Sequence, residues 1–270
     1  MEKLLGTELY KKYLSAEFPT EIRIRDNKKI LIKTLNGEIN TGIIANQELI
    51  KNIINNAANF SLYAYEEELA RGFLFYGKGV RVGVGGIGAF SNERFIGYKK
   101  FTSLCIRIPH EVKGCSKSLG FLYKDFQSTV IISPPACGKT TLIRDLAREL
   151  AKTYDIFVID ERYELAGGDM SLNLGERSDI VQGVPKKICL ENAIRSLSPQ
   201  IIVCDEIFGD EEAAVKAAFS GAKILASVHG ESFHDVKLRN KTLAGIFSCA
   251  VILTDKPKAG TIKSIIKLKQ

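Results

Sequence analysis

Residues 133–141 read S-P-P-A-C-G-K-T-T. They follow an apolar run, Thr129-Val130-Ile131-Ile132, that suits a buried strand. They precede residues 142–150, whose apolar side chains recur at helical spacing. Strand, tight loop, Gly-Lys-Thr and helix is the context of a phosphate-binding loop. The N–H groups of such a loop and the N-terminus of its helix converge on one point and attract anions. Ser133, Pro134, Pro135, Ala136, Cys137, Gly138, Lys139, Thr140 and Thr141 are therefore the candidate nucleotide-binding residues. Lys139 is expected to reach the β- and γ-phosphates and the Thr140 hydroxyl to ligate Mg²⁺. Ser133 and Ala136 stand where the pattern, or many of its instances, has glycine. Both are expected to loosen the wrapping of phosphate, because glycine relieves backbone strain in tight turns. The alternative is a chance Gly-Lys-Thr in a surface turn.

The 270 residues are long for one domain and comfortable for two. Hydrophobic residues make up 45% and charged residues 26%, an ordinary globular balance. No apolar run is long enough to span a bilayer, and Met1-Glu2-Lys3-Leu4-Leu5-Gly6 does not read as a signal peptide. A formal charge of +7 permits an anionic partner without requiring one. Six cysteines, at 105, 115, 137, 189, 204 and 249, form no C-x-x-C pair and have no histidine at zinc-ligand spacing. They read as reduced thiols of a cytoplasmic protein. Cys137 reads as a loop residue, with oxidation sensitivity as the alternative.

Two patterns divide the chain. The first is an α+β domain over residues 1–108. Residues 21–25 and 30–33 read as a hairpin about Asp26-Asn27. Residues 47–54 and 66–71 read as helices, the second stopped by Gly72. Residues 72–88 are Gly-rich and strand-like, turning at Gly77-Lys78-Gly79, and residues 103–108 form another strand. A linker is expected over 109–118. From 119 to 270, apolar strands at 129–132, 156–159, 201–204, 223–228 and 250–253 alternate with helices. Such alternation implies an α/β domain with a largely parallel sheet, covered on both faces. Ligands of such sheets bind beyond the carboxyl ends of the strands.

The remaining candidates fall at those ends. Ile201-Ile202-Val203-Cys204-Asp205-Glu206 is an apolar run closed by two carboxylates. Asp205 is expected to orient Mg²⁺ or its water shell, and Glu206 to polarise an attacking water as general base. The alternative is a solvated acidic turn. His229 in Ser227-Val228-His229-Gly230 is expected to sense the γ-phosphate or hold the lytic water; capping the next helix is the other reading. Ile159-Asp160-Glu161-Arg162 ends a second strand in charge, serving either the metal region and phosphate or an internal salt bridge. Arg81, Arg107, Arg162, Arg177 and Arg195 are candidates for transition-state charge, and spacing alone does not choose among them. His110 and His234 receive no role.

Taken in order, these segments resemble the stage III sporulation protein AA family, a branch of the type II/IV secretion ATPases. The resemblance covers most of the chain. It rests on residues 65–69, 81–83 and 103–108 leading to 111–115, then on 134–145, 159–162, 175–179, 194–199, 205–207 and 227–230. It implies a RecA-like P-loop ATPase core behind a smaller α+β domain, with ATP and Mg²⁺ as cofactors. It also implies a homo-oligomeric ring, expected as a hexamer, and a role energising a secretion-like channel between mother cell and forespore. The partners implied are ATP or ADP and the membrane proteins of that channel, with the protein cytoplasmic and recruited to the membrane through them. By position, Arg81 and Arg107 match the family's phosphate-holding arginines. A nucleic-acid-dependent motor and a non-hydrolysing nucleotide-gated scaffold are the competing functions. Charge and the basic tail at 256–269 leave the first open. Nucleic acid is not an expected partner, because no aromatic–basic stacking cluster is read.

Overall fold

The structure is a computed structural model that describes residues 1–91, 93–168 and 170–268. Lys269, the last residue of the basic tail, lies outside them. The chain separates into two units, one of residues 1–110 with 167–171, the other of residues 111–166 and 172–270.

The first unit contains α1 (Glu2–Leu5), α2 (Thr7–Ser15), β1 (Pro19–Arg25), β2 (Lys29–Thr34) and β3 (Gly37–Ile44). It continues through α3 (Gln47–Ala57), α4 (Glu66–Ala70), β4 (Phe73–Tyr76), β5 (Val80–Ser91) and β6 (Arg94–Arg107). The strands pair antiparallel in the order β3-β2-β1-β6-β5-β4. Strand alternation sends Ile22, Ile24, Ile30, Ile32, Val82, Leu104 and Ile106 into one core with Leu4, Leu9, Ile50 and Ile53 of the helices. Asn46 starts α3 by accepting from the Leu49 N–H at 2.8 Å. The 72–88 segment is two strands, and 103–108 is the end of a strand that begins at Arg94. Helices α1 and α2 and strand β3 carry too little pattern to be read from sequence: β3 is exposed along most of its length.

The second unit contains α5 (Phe121–Lys124), β7 (Thr129–Ser133), α6 (Lys139–Leu150), β8 (Ile156–Asp160), β9 (Ser178–Gln182) and α7 (Lys186–Ser196). It ends with β10 (Ile201–Glu206), α8 (Glu211–Phe219), β11 (Lys223–His229), α9 (Phe233–Arg239), α10 (Lys241–Gly245), β12 (Cys249–Thr254) and β13 (Thr261–Lys267). The sheet order is β13-β12-β7-β11-β10-β8-β9. All its pairings are parallel except β12 with β13. Both faces are covered. Val130, Ile132, Ile202 and Ile224 pack into one apolar layer, and Ile131, Val158, Val203 and Leu225 into the other. That is why the central strands read as unbroken apolar runs. Among the described residues, no helix is long and apolar enough to cross a membrane. All six cysteines are free thiols, and burial pushes Cys204 up to about 12.

Residues 111–118 are fastened to this unit by one buried carboxylate. Asp145 of α6 accepts from the N–H groups of Gly114 (2.9 Å) and Ser116 (2.8 Å) and from the Ser116 hydroxyl (2.6 Å), and pairs with Arg148. Burial alone would raise its pKa; the Ser116 and Gly114 donors and Arg148 hold it down to about 2. The folded value lies below the free value of about 3.9. The stabilisation is therefore complete above that pH and is lost as the pH falls toward 2. Asp145→Ala leaves several donors unpaired and is expected to cost about 3 kcal/mol. Urea unfolding at neutral pH checks the loss, and its repetition down the acid range should show a flatter decline in the variant.

Candidate active site

The loop between β7 and α6 folds as two left-handed residues in a short turn. Ala136 has φ 60° and Gly138, the N-cap of α6, has φ 84°. A Cβ on Gly138 would lie 3.1 Å from the nitrogen and 3.2 Å from the Cα of Gly260, a tight contact added to the strain of a left-handed φ. Ala136 adopts its conformation at a cost in strain. Pro134 and Pro135 have no N–H, so the turn's donors come from Ala136 onward. Ser133 ends β7 fully buried, its hydroxyl donating to the Pro134 carbonyl at 2.8 Å. Cys137 is buried, its thiol on the Pro135 carbonyl at 3.6 Å. Thr141 follows in the first turn of α6.

Lys139 is only 7% exposed. Its Nζ lies 3.1 Å from the Ser133 carbonyl, 3.1 Å from the Pro134 carbonyl, 3.4 Å from the Ser133 hydroxyl and 3.0 Å from Nδ1 of His229. Burial lowers its pKa, and the more distant Glu206 and Asp205 oppose that shift. An ammonium has no acceptor, so Nδ1 of His229 must accept and the ring proton sits on Nε2. Nε2 faces Oε2 of Glu206 at 3.3 Å. That oxygen is buried and has no fully formed hydrogen bond, so the contact with the imidazole is a charge–dipole one of imperfect geometry.

Asp205 sits on an irregularity of β10. Cys204 is registered with Ala226 and Glu206 with Ser227, which leaves Asp205 as an extra residue between them. A bulge re-aims side chains that strict alternation would send to opposite faces. Here Asp205 meets the Thr140 hydroxyl at 3.4 Å and the Ser227 hydroxyl at 3.4 Å, while Glu206 meets His229. Lys139, Thr140, Asp205, Glu206 and His229 are thus gathered at the carboxyl ends of three neighbouring strands.

The second acidic strand end works differently. Oδ1 of Asp160 accepts from the N–H groups of Glu164 (2.7 Å) and Leu165 (3.0 Å), and Oδ2 from Ala166 (2.9 Å) and Gln182 (2.8 Å). From the other side, Arg144 of α6 donates to the carbonyls of Glu164 (2.5 Å) and Leu165 (2.8 Å). Glu161 pairs with Lys186 at 2.7 Å. Asp160 and Glu161 therefore hold a loop. That loop carries Glu164, a residue the sequence reading missed, to Asp205. Glu164 is exposed as a residue, but desolvation of its carboxyl beside Asp205 raises it above its ordinary value, and the charge and hydrogen bond of Asp205 push the same way. The available signal was a carboxylate four residues beyond a strand-end aspartate, at the shared sheet edge.

Arg81 and Arg107 belong to the first unit, where they are cross-strand partners. The Arg81 guanidinium lies 3.8 Å from the Phe73 ring centre, and Arg107 is 3.7 Å from Glu21. Arg177 pairs with Asp155 at 2.9 Å, and Arg162 and Arg195 are solvent-exposed. His110 pairs with the Pro19 carbonyl at 2.9 Å, within the first unit.

A family model described as "Sporulation stage III, protein AA" matches residues 4–270. The stage III sporulation protein AA of Bacillus subtilis (strain 168) is 34% identical over 233 residues, 81% of this chain and 76% of that protein. Among solved structures, the pilus retraction motor PilT with bound ADP aligns at a TM-score of 0.63 and 14% identity, covering 91% of this chain and 76% of that one. The Legionella pneumophila ATPase DotB aligns at 0.59 and 14%, covering 87% and 72%. At such identities the likeness is one of fold.

Gly138→Ala is expected to destabilise the second unit by about 1–3 kcal/mol, adding a left-handed alanine and a tight contact with Gly260. Ala136→Gly should stabilise by between about 0 and 1.6 kcal/mol. The strain relieved, about 1–2 kcal/mol, is offset by about 0.4–1 kcal/mol of added freedom in the unfolded chain. Denaturant unfolding of both variants measures the contrast.

Proposed function

The chain belongs to the stage III sporulation protein AA family, and from that premise we propose that it is a Mg²⁺-dependent ATPase motor of the secretion type. The observation that carries the reading is the meeting of Lys139, Thr140, Asp205, Glu206 and His229 at one sheet edge. Lys139 would exchange its carbonyl contacts for phosphate oxygens, joined by the N–H groups of residues 136–141. The side chains fit magnesium. Thr140 and Asp205 offer hard oxygens side by side, and among the described residues no group of three or more His, Cys, Asp or Glu could hold a metal ion. That donor set suits an ion bound chiefly through phosphates and water. When bound, the ion would neutralise charge building on the β- and γ-oxygens.

Glu206 would accept the proton of the attacking water, its carboxylate steadied by Nε2–H of His229. Glu164 would share the Asp205 side of the site, keeping that carboxylate hydrogen-bonded until the cation arrives. Arg81 and Arg107, from the same or a neighbouring copy, would stabilise charge on the transferred phosphoryl group. The ADP in the PilT structure supports a nucleotide as ligand. The family supports the setting: a ring of copies, proposed as a hexamer, that energises a channel between mother cell and forespore. The ring would be cytoplasmic and held at the membrane by the channel's proteins.

Titration calorimetry with Mg-ATP and Mg-ADP is the direct test, and no heat of binding from folded protein overturns the reading. Lys139→Ala should abolish binding. Glu206→Gln should keep it while turnover falls at least about 100-fold. Retained turnover in Glu206→Gln would remove that residue from its role. Turnover by the wild type should not respond to single-stranded DNA or RNA.

A further inference from the structure

The hairpin that ends the second sheet touches the phosphate-type loop. Between β12 and β13, residues 255–260 read Asp-Lys-Pro-Lys-Ala-Gly. The turn is closed by Thr261, which donates through its hydroxyl to the Lys258 carbonyl at 2.7 Å, and by the Lys256 N–H on the Thr254 hydroxyl at 3.3 Å. β12 runs parallel to β7, so the turn leaves the sheet at the same edge as residues 134–138. The Gly260 N–H donates to the Cys137 carbonyl at 3.0 Å. Gly138 and Gly260 approach so closely that a Cβ on the first would lie 3.1 Å from the backbone nitrogen of the second, a tight contact. Two glycine turns are thus pressed together. One ends in Lys139, and the other holds Lys256 and Lys258 within four residues of the contact. Both of these lysines, and Asp255, are exposed.

We propose that this turn is a second wall of the nucleotide site, with Lys256 and Lys258 supplying positive charge to the phosphates from outside the loop. The proposal rests on the nucleotide reading above. Two physical points favour it. Pro134 and Pro135 take N–H donors out of the loop's first half, so charge from a neighbouring element adds what the amides there do not. Lysine acts on phosphate as a mobile point charge and needs no fixed fork geometry, which suits an exposed turn. Asp255, the turn's one carboxylate, opposes the lysines, so its removal works in the reverse direction.

The test uses the full chain and calorimetric titration with Mg-ADP at low and at physiological salt. The variants are Lys256→Gln with Lys258→Gln, Asp255→Asn, and a charge-matched control, Lys11→Gln with Lys12→Gln in α2. The turn double variant should bind Mg-ADP about five- to tenfold more weakly at low salt. It should also lose affinity less steeply as salt rises, since fewer cations meet the ligand. Asp255→Asn should bind more tightly than wild type, and the control should stay within about twofold. Unchanged thermal midpoints without nucleotide separate this from damage to the fold. A turn double variant that binds like the control overturns the proposal and leaves the nucleotide reading standing. Absence of binding by the wild type overturns both.

Discussion

A lysine ammonium held almost out of water by neutral acceptors is the constraint on which the second unit depends. Four groups surround Nζ of Lys139, two carbonyls, a hydroxyl and an imidazole. None carries a formal negative charge at this distance. Burying a cation without a close counter-ion is costly, and the depressed pKa of Lys139 registers that cost. Carboxylates stand further back, on β10, where they moderate the field without neutralising it. A cation so placed, at the N-terminus of a 12-residue helix, makes the site strongly favourable to a polyanion.

Everything around the ammonium serves to keep the acids at a working distance. The irregularity at Asp205 turns two consecutive carboxylates toward two different partners, Thr140 and His229. Asp160 spends all its acceptor capacity on backbone N–H groups and Gln182. It is a structural clamp. With Arg144 pulling on the carbonyls of the same loop, it delivers Glu164 to Asp205. Two strand ends that look alike as sequence, each an apolar run followed by Asp-Glu, thereby acquire different tasks. One presents its acids to the site, and the other presents a loop.

The first unit has an asymmetric sheet. Its inner face is sealed by helices around Ile22, Ile24, Ile32 and Val82. Its other face carries Glu21, Arg23, Arg81 and Arg107, linked across the strands by register. Glu21 is held at about 2: burial would raise it, and Arg23 and Lys33 override that. Glu21 and the Phe73 ring thus hold the arginines of this face in order.

The sequence alone determined the strand–loop–helix around Lys139, the doubly covered parallel sheet and the family. Those features are written in local order: apolar runs of strand length, helical spacing after Gly138, and motifs in a set succession. It also placed Asp205, Glu206 and His229 at strand ends. Local order favoured Asp205-Glu206 over Asp160-Glu161 but could not show that Asp160 is a clamp, find Glu164, or bring the turn at Gly260 onto Gly138. Those outcomes depend on a one-residue shift of register in β10 and on which strands lie beside β7. The first is settled by pairing with the next strand, β11, and the second by pairing of β7 with β12 from the far end of the chain; in both, hydrogen bonds and excluded volume, rather than local preference, decide which atoms meet.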